Sequence, residues 1–133
     1  RIQTESPVMG ATPPVTGMLA MQDMLELVEE VGIAAVRAKS QRLTSYVVAL
    51  SDAWLAPLGV TVASPRDPVE RGGHVTLNHP AMREVTARLW RRDVIPDYRD
   101  PQGLRVGLSP LSTSFEEVRR GMTAVREELE RLA

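Results

Sequence analysis

Near Gly59 the spacing of apolar residues changes from three-and-four to two, and no other feature constrains the fold of this chain so strongly. Upstream, Leu19, Met24, Leu25, Leu27, Val28 and Val31 recur at spacings of about three and four, and Val36, Leu43, Val47, Leu50 and Trp54 continue the pattern. Stripes of this kind mark helices that bury one face. Downstream, "GVTVAS" (59–64) and "HVTLN" (74–78) alternate, as strands do when one face lies on a core. Two helical blocks followed by short strands and further helices imply an α+β domain, with a small, mostly antiparallel sheet covered by helices on one face.

Proline and glycine divide the chain into elements. Pro13-Pro14 forbids regular helix in the irregular segment that precedes Met18. Gly32 is placed to end the first helix, with Ile33 available for the accompanying apolar contact. The second helix is expected from about Ile33 to Leu55, closed by Pro57 and Gly59. "PRDPVERGG" (65–73) reads as a turn between two strands. His79-Pro80 is expected to open a third helix with proline at its first position, running to about Arg92. "DVIP" (93–96) then reads as a short strand, "DYRDPQG" (97–103) as a turn and "LRVGL" (104–108) as the last strand. A final helix begins near Ser114. Either Thr113 with Glu116 or Ser114 with Glu117 has the spacing at which a hydroxyl and a glutamate exchange bonds with free amides. The expected order is helix, helix, strand, strand, helix, strand, strand, helix. Residues 1–17 are read as an entry segment and 18–133 as the domain.

Composition narrows the function classes. Hydrophobic residues at 43% and charged residues at 25% belong to a globular chain, and a net charge of -1 offers no general attraction to nucleic acid or anionic lipid. No apolar run approaches the ~20 residues that a membrane span needs. There is no basic-then-apolar signal region, so the expected compartment is the cytoplasm. Without cysteine, neither a disulfide nor thiolate chemistry is available. The chain starts at Arg1 rather than methionine, which suggests the interior of a longer polypeptide. It also has a single lysine, Lys39, against fifteen arginines. A Schiff-base cofactor needs a lysine, so that position bears directly on function.

Most candidate sites yield to a plainer reading. "MGATPPV" lacks the glycines of a phosphate loop. His74 and His79 are five apart with no third ligand nearby, so no metal site is expected. Ser109, Ser112 and Ser114 have no nucleophile-elbow context and suit helix capping. The glutamate pairs lie on helix faces, and Arg91-Arg92 sits where a helix end favours positive charge. Arg105 resists this treatment, because it stands inside an apolar strand between Leu104 and Val106. Its planar fork of donors matches a carboxylate in two parallel bonds. Two readings stay open: a structural salt bridge, or an arginine aimed at an anion.

The segments "GATPPV", "RAKSQRLTSYVVAL", "SPRDPVERGGHVTL" and "VIPDYRDPQGLRVGLSPLSTSFEEV" fall in an order and spacing that resembles the C-terminal region of the kynureninase family. That family belongs to the fold-type I (class V aminotransferase-like) pyridoxal-phosphate enzymes, and the resemblance covers nearly the whole chain. It implies the small C-terminal domain of a hydrolase that converts kynurenine, or its 3-hydroxylated form, to the matching anthranilate and alanine. Arg105 matches the arginine that grips the α-carboxylate of the amino-acid substrate. Thr12, in "GATPP", matches a small polar residue that reaches the cofactor phosphate across a homodimer interface. Asp97, Arg99 and Arg71 also match family positions, and are read as local ion pairing and turn structure. At Ser112 the chain departs from the family, where tyrosine is common.

The resemblance also implies what lies elsewhere. The Schiff-base lysine, the aromatic that stacks on the cofactor ring and the aspartate at its nitrogen belong to a large domain preceding Arg1. Lys39, on the polar face of "RAKSQR", does not replace the lysine, so no catalytic residue is expected in this chain and the isolated chain should be inactive. The alternatives are another fold-type I enzyme, an aminotransferase or a cysteine desulfurase, and a non-catalytic α+β binding module. The stripe at Leu19, Met24, Leu27, Val31 and Ile33 exceeds what four short strands can cover, so exposed apolar surface is expected.

Overall fold

A computed structural model describes residues 15–132. The chain divides into two compact units, residues 1–33 and 34–133. Within the first unit, helix α1 (Val15–Val31) begins at least three residues ahead of the expected Met18. Gly32 ends it, with a left-handed φ of 81° and an N–H that donates to Val28 O at 2.9 Å. Glycine adopts that backbone without a Cβ clash, which is why the helix stops there.

Helix α2 (Ile33–Leu50) runs into the second unit from its boundary at residue 34, and its Ser40, Leu43, Thr44, Val47 and Leu50 form one buried stripe. The expected continuation to Leu55 exists, but as a widened π turn over Ser51–Leu55 and a 3-10 turn over Ala56–Leu58. The Ser51 hydroxyl donates to Val47 O at 2.7 Å and competes for a carbonyl of the helix ladder. Pro57 and the left-handed Gly59 (φ 85°) then close the segment.

Strand β1 (Thr61–Val62) is shorter than the alternating run predicts. Beyond it, the Ser64 hydroxyl takes the place of a backbone acceptor for the Thr76 N–H (2.9 Å), and Pro65 has no N–H to offer. Strand β2 (His74–Asn78) has the expected bounds. Helix α3 spans Met82–Trp90, inside its expected 79–92, because Pro80 lies in the turn before the helix rather than at its first position. The largest correction concerns residues 93–99. "DVIP" is not a strand: the backbone N–H groups of Asp93 and Val94 still bond to Trp90 and Leu89, and Asp93 has a φ of 56°. The strand is instead β3 (Asp97–Arg99), inside the expected turn. It pairs with β4 (Gly103–Gly107) in a tight hairpin. Helix α4 (Phe115–Glu130) completes the unit.

The four strands form one sheet in the order β1-β2-β4-β3, with every neighbouring pair antiparallel. The register places Val75 opposite Val106, and Leu77 opposite both Val62 and Leu104, so these side chains share one face. Val75, Leu77 and Leu104 are fully buried there, in one cluster with Leu43 and Val47 of α2, Met82, Val85 and Leu89 of α3, and Met122 and Val125 of α4. Helices thus cover one face of the sheet, as the α+β reading expects. Truncating a side chain at the centre of this cluster, such as Leu77, would cost about 2–5 kcal/mol.

Candidate carboxylate site on the open face of the sheet

Period-two alternation sends Arg105 to the face opposite the core. Across the strands it lies directly between Thr76 on β2 and Asp97 on β3. The same face carries His74, Asn78 and Arg99, and every one of these is exposed or only half-buried. Along β4, the neighbours of Arg105 on that face are Gly103 and Gly107. A Cβ at Gly107 would meet nothing within 4 Å, so the space beside the guanidinium on that side is clear. A Cβ at Gly103 would come within 3.1 Å of Arg99 O, so there the glycine permits close packing of the hairpin.

The guanidinium is held by one partner. Arg105 Nη2 donates to Asp97 Oδ2, and the side chain of Arg105 remains 34% exposed. Asp97 Oδ2 also pairs with Arg99 Nη2 at 2.7 Å. Two arginines and one aspartate leave this cluster with a formal charge of +1. Among the described residues, Arg105 Nε and Nη1 have no hydrogen-bond partner, and Nη2 carries a second N–H besides the one given to Asp97, so Nη2 together with Nε or Nη1 can still offer one edge of the fork. Chemically, the cluster can accept a carboxylate in two parallel bonds while Asp97 stays in place. Of the two readings of Arg105, the salt bridge is present, and the guanidinium has further N–H donors that are unpaired among the described residues.

Arg71 does not join this cluster. It is only 2% exposed, and its Nη1 donates to Pro65 O and Arg66 O at 2.8 Å, and its Nη2 to Ser45 Oγ at 2.8 Å. Burial pulls its pKa down, and the Asp67 charge opposes that shift. From outside the loop, Arg37 donates to the carbonyls of Pro68, Val69 and Arg71. Two arginines therefore fix the 65–73 loop through its carbonyls, and Arg71 is turn structure.

The other sequence candidates are also accounted for. Lys39 is half-buried on α2, and its charge acts on Glu117 at the start of α4. Ser114 caps α4 in a capping box with Glu117, and the Thr113 hydroxyl instead accepts from Ser109 N–H at 3.1 Å. His79 Nδ1 accepts from Ala81 N–H. Among the described residues no cluster of histidine, aspartate or glutamate could hold a metal ion, and no helix is long and apolar enough to cross a membrane. Thr12 lies outside the described residues. An apolar cleft of about 170 Å³ lies on the helix-covered side, lined by Val94, Ile95, Pro96, Val106, Val118 and Met122. Its one charged residue, Glu117, is committed to the helix cap, so this cleft is not the anion site.

Sequence reasoning missed the direct bond between Asp97 and Arg105. A signal for it exists, since the two residues lie symmetrically about Pro101 in the hairpin turn and carry opposite charge.

Comparison with known proteins bears on this site. Residues 36–125 match the family described as "Kynureninase C-terminal domain". The chain is 36% identical over 107 residues to a kynureninase of Geobacillus thermodenitrificans, covering 80% of this chain and 25% of that protein. It is 34% identical over 120 residues to a kynureninase of Pseudomonas fluorescens, covering 90% of this chain and 29% of that protein. The chain thus spans about a quarter of the length of these curated relatives. Among solved structures, a NifS-like protein superposes with a TM-score of 0.71 at 17% identity, over 91% of this chain and 35% of the other. The 8-amino-7-oxononanoate synthase of Francisella tularensis superposes with a TM-score of 0.62 at 18% identity, over 91% and 34%. These two likenesses establish the fold, a small α+β domain.

Proposed function

Because this chain belongs to the kynureninase C-terminal domain family, we propose that it is the substrate-gripping small domain of a kynureninase, a hydrolase that yields anthranilate and alanine from kynurenine. The observation that carries this reading is Arg105, on a central strand and on the open face, held by Asp97 through one N–H of Nη2 with its other donors unpaired among the described residues. A strand holds the guanidinium more rigidly than a loop could, and its planar fork sets both the place and the orientation of an α-carboxylate. Orientation of the substrate before reaction is a large part of what a binding residue contributes to rate.

The described residues do not by themselves fit pyridoxal phosphate. Lys39, the sole lysine, lies on α2, which packs on the core face of the sheet, and no aromatic residue of the strands shares the open face with Arg105. We therefore assign the cofactor, its Schiff-base lysine and the electron-sink chemistry it supplies to the rest of the intact enzyme. On this reading the isolated chain is inactive, the enzyme is a homodimer, and Thr12 reaches the cofactor phosphate across the subunit interface.

The test uses the complete reading frame with pyridoxal phosphate and kynurenine, following anthranilate by fluorescence. Arg105→Lys keeps the charge and loses the fork, so KM for kynurenine should rise about tenfold or more. Anthranilate formation with an unchanged KM in this variant would refute the role of Arg105. A holoenzyme that forms no anthranilate would instead point to a transaminase or desulfurase relative.

A further inference from the structure

We infer that Asp97 is the positioning residue for Arg105, holding the guanidinium in the pose that receives the substrate carboxylate. This inference rests on the carboxylate-binding reading of Arg105. Asp97 lies directly opposite Arg105 in the β3–β4 hairpin and accepts from its Nη2. The same oxygen, Oδ2, is also held by Arg99 at 2.7 Å, so the anchor is itself restrained. An arginine side chain has several rotatable bonds, and a free one must be ordered when a ligand binds. Asp97 imposes that order beforehand through one N–H of Nη2 and leaves the other, with Nε or Nη1 beside it, for the ligand. Gly107, with no side chain and nothing within 4 Å of a Cβ built there, gives no alternative support along the strand. Arg99 keeps the cluster at +1 despite the aspartate, so Asp97 does not cancel the attraction for an anion.

Two other roles for Asp97 predict different outcomes. If it competed with the substrate carboxylate for Arg105, removing it would strengthen binding. If it served only the hairpin, removing it would lower thermal stability and leave substrate affinity unchanged.

The experiment uses the intact holoenzyme with Asp97→Ala, Asp97→Asn and Arg105→Ala. KM and kcat for kynurenine are measured, with the dissociation constant of L-alanine, a product carrying the same carboxylate, obtained by calorimetry, and the thermal midpoint of each variant. Asp97→Ala should raise both KM and the L-alanine dissociation constant about five- to tenfold, by more than kcat falls. Asp97→Asn, whose amide oxygen still accepts from Arg105, should recover part of that loss, and serves as the readout if the alanine variant does not fold. Unchanged or lower values in the Asp97 variants, alongside a large rise in Arg105→Ala, would overturn the positioning role alone. No rise in Arg105→Ala would overturn the carboxylate reading, and the positioning role with it.

Discussion

At the scale of single residues, β4 shows three different uses of one face. Arg105 carries the charge, and glycines stand two residues away on either side, yet the two glycines answer to different constraints. At Gly103 the chain itself is the obstacle, because a Cβ would sit 3.1 Å from Arg99 O and 3.2 Å from Thr76 Cγ2. Arg99 pairs with Gly103 in the hairpin, so its carbonyl cannot retreat without loosening the ladder. Gly103→Ala should therefore destabilise the domain by about 1–2 kcal/mol. Gly107→Ala should be neutral or slightly stabilising, by up to about 0.5 kcal/mol, because it meets nothing and restricts the unfolded chain. Urea midpoints of the two variants check this, and equal losses would contradict the steric distinction.

At the scale of elements, helix starts and loops are secured by side chains acting on backbone groups. Helix α4 begins with a reciprocal pair: Glu117 N–H donates to Ser114 Oγ at 3.1 Å, and Ser114 N–H donates to Glu117 Oε2 at 2.8 Å. The Ser114 backbone N–H first, and its hydroxyl second, hold the Glu117 carboxyl below its usual value of 4.5. A carboxyl with a lowered folded-state pKa adds stability above the unfolded value, and loses it as pH falls through the lower folded value. Wild type and Glu117→Gln should differ in stability at neutral pH and converge as the pH drops below about 4.5. Thermal midpoints across pH 7 to 3 measure this, and a gap that stays constant with pH would contradict it. In the 65–73 loop, the specific run "SPRDPVERGG" has a local explanation, because Arg71 is buried beneath carbonyls of its own loop and Arg37 holds the loop from α2.

At the scale of the whole molecule, the two units differ in how they treat apolar side chains. Residues 34–133 enclose a continuous core between the sheet and three helices. In the first unit, Leu19, Met24, Leu27, Val31 and Ile33 are all exposed, between 40% and 71%. Apolar surface of this extent, on α1 and the first residue of α2, usually marks a docking face. Because the chain spans about a quarter of its relatives' length, we propose that the rest of the enzyme packs there. Produced on its own, the chain should self-associate and bind an apolar dye. Sedimentation as a clean monomer without dye binding would contradict that expectation.

The order of elements, the capping of α4, the glycine stop at residue 32 and most of the core were legible in the sequence. These depend on interactions between near neighbours, such as a hydroxyl three residues from a glutamate or an apolar residue one helical turn from the next. The tertiary structure decided which residues form β3, and through β3 the surroundings of Arg105. "DVIP" is apolar enough for a strand, yet its backbone donors are taken by the end of α3. "DYR" is polar enough for a turn, yet it pairs with β4 and places Asp97 against Arg105. A strand is defined by where its hydrogen bonds go, and those partners lie on another segment of the chain. The charge of Arg105 could be read from one residue, but which of its donors are already taken follows from the strand folded beside it.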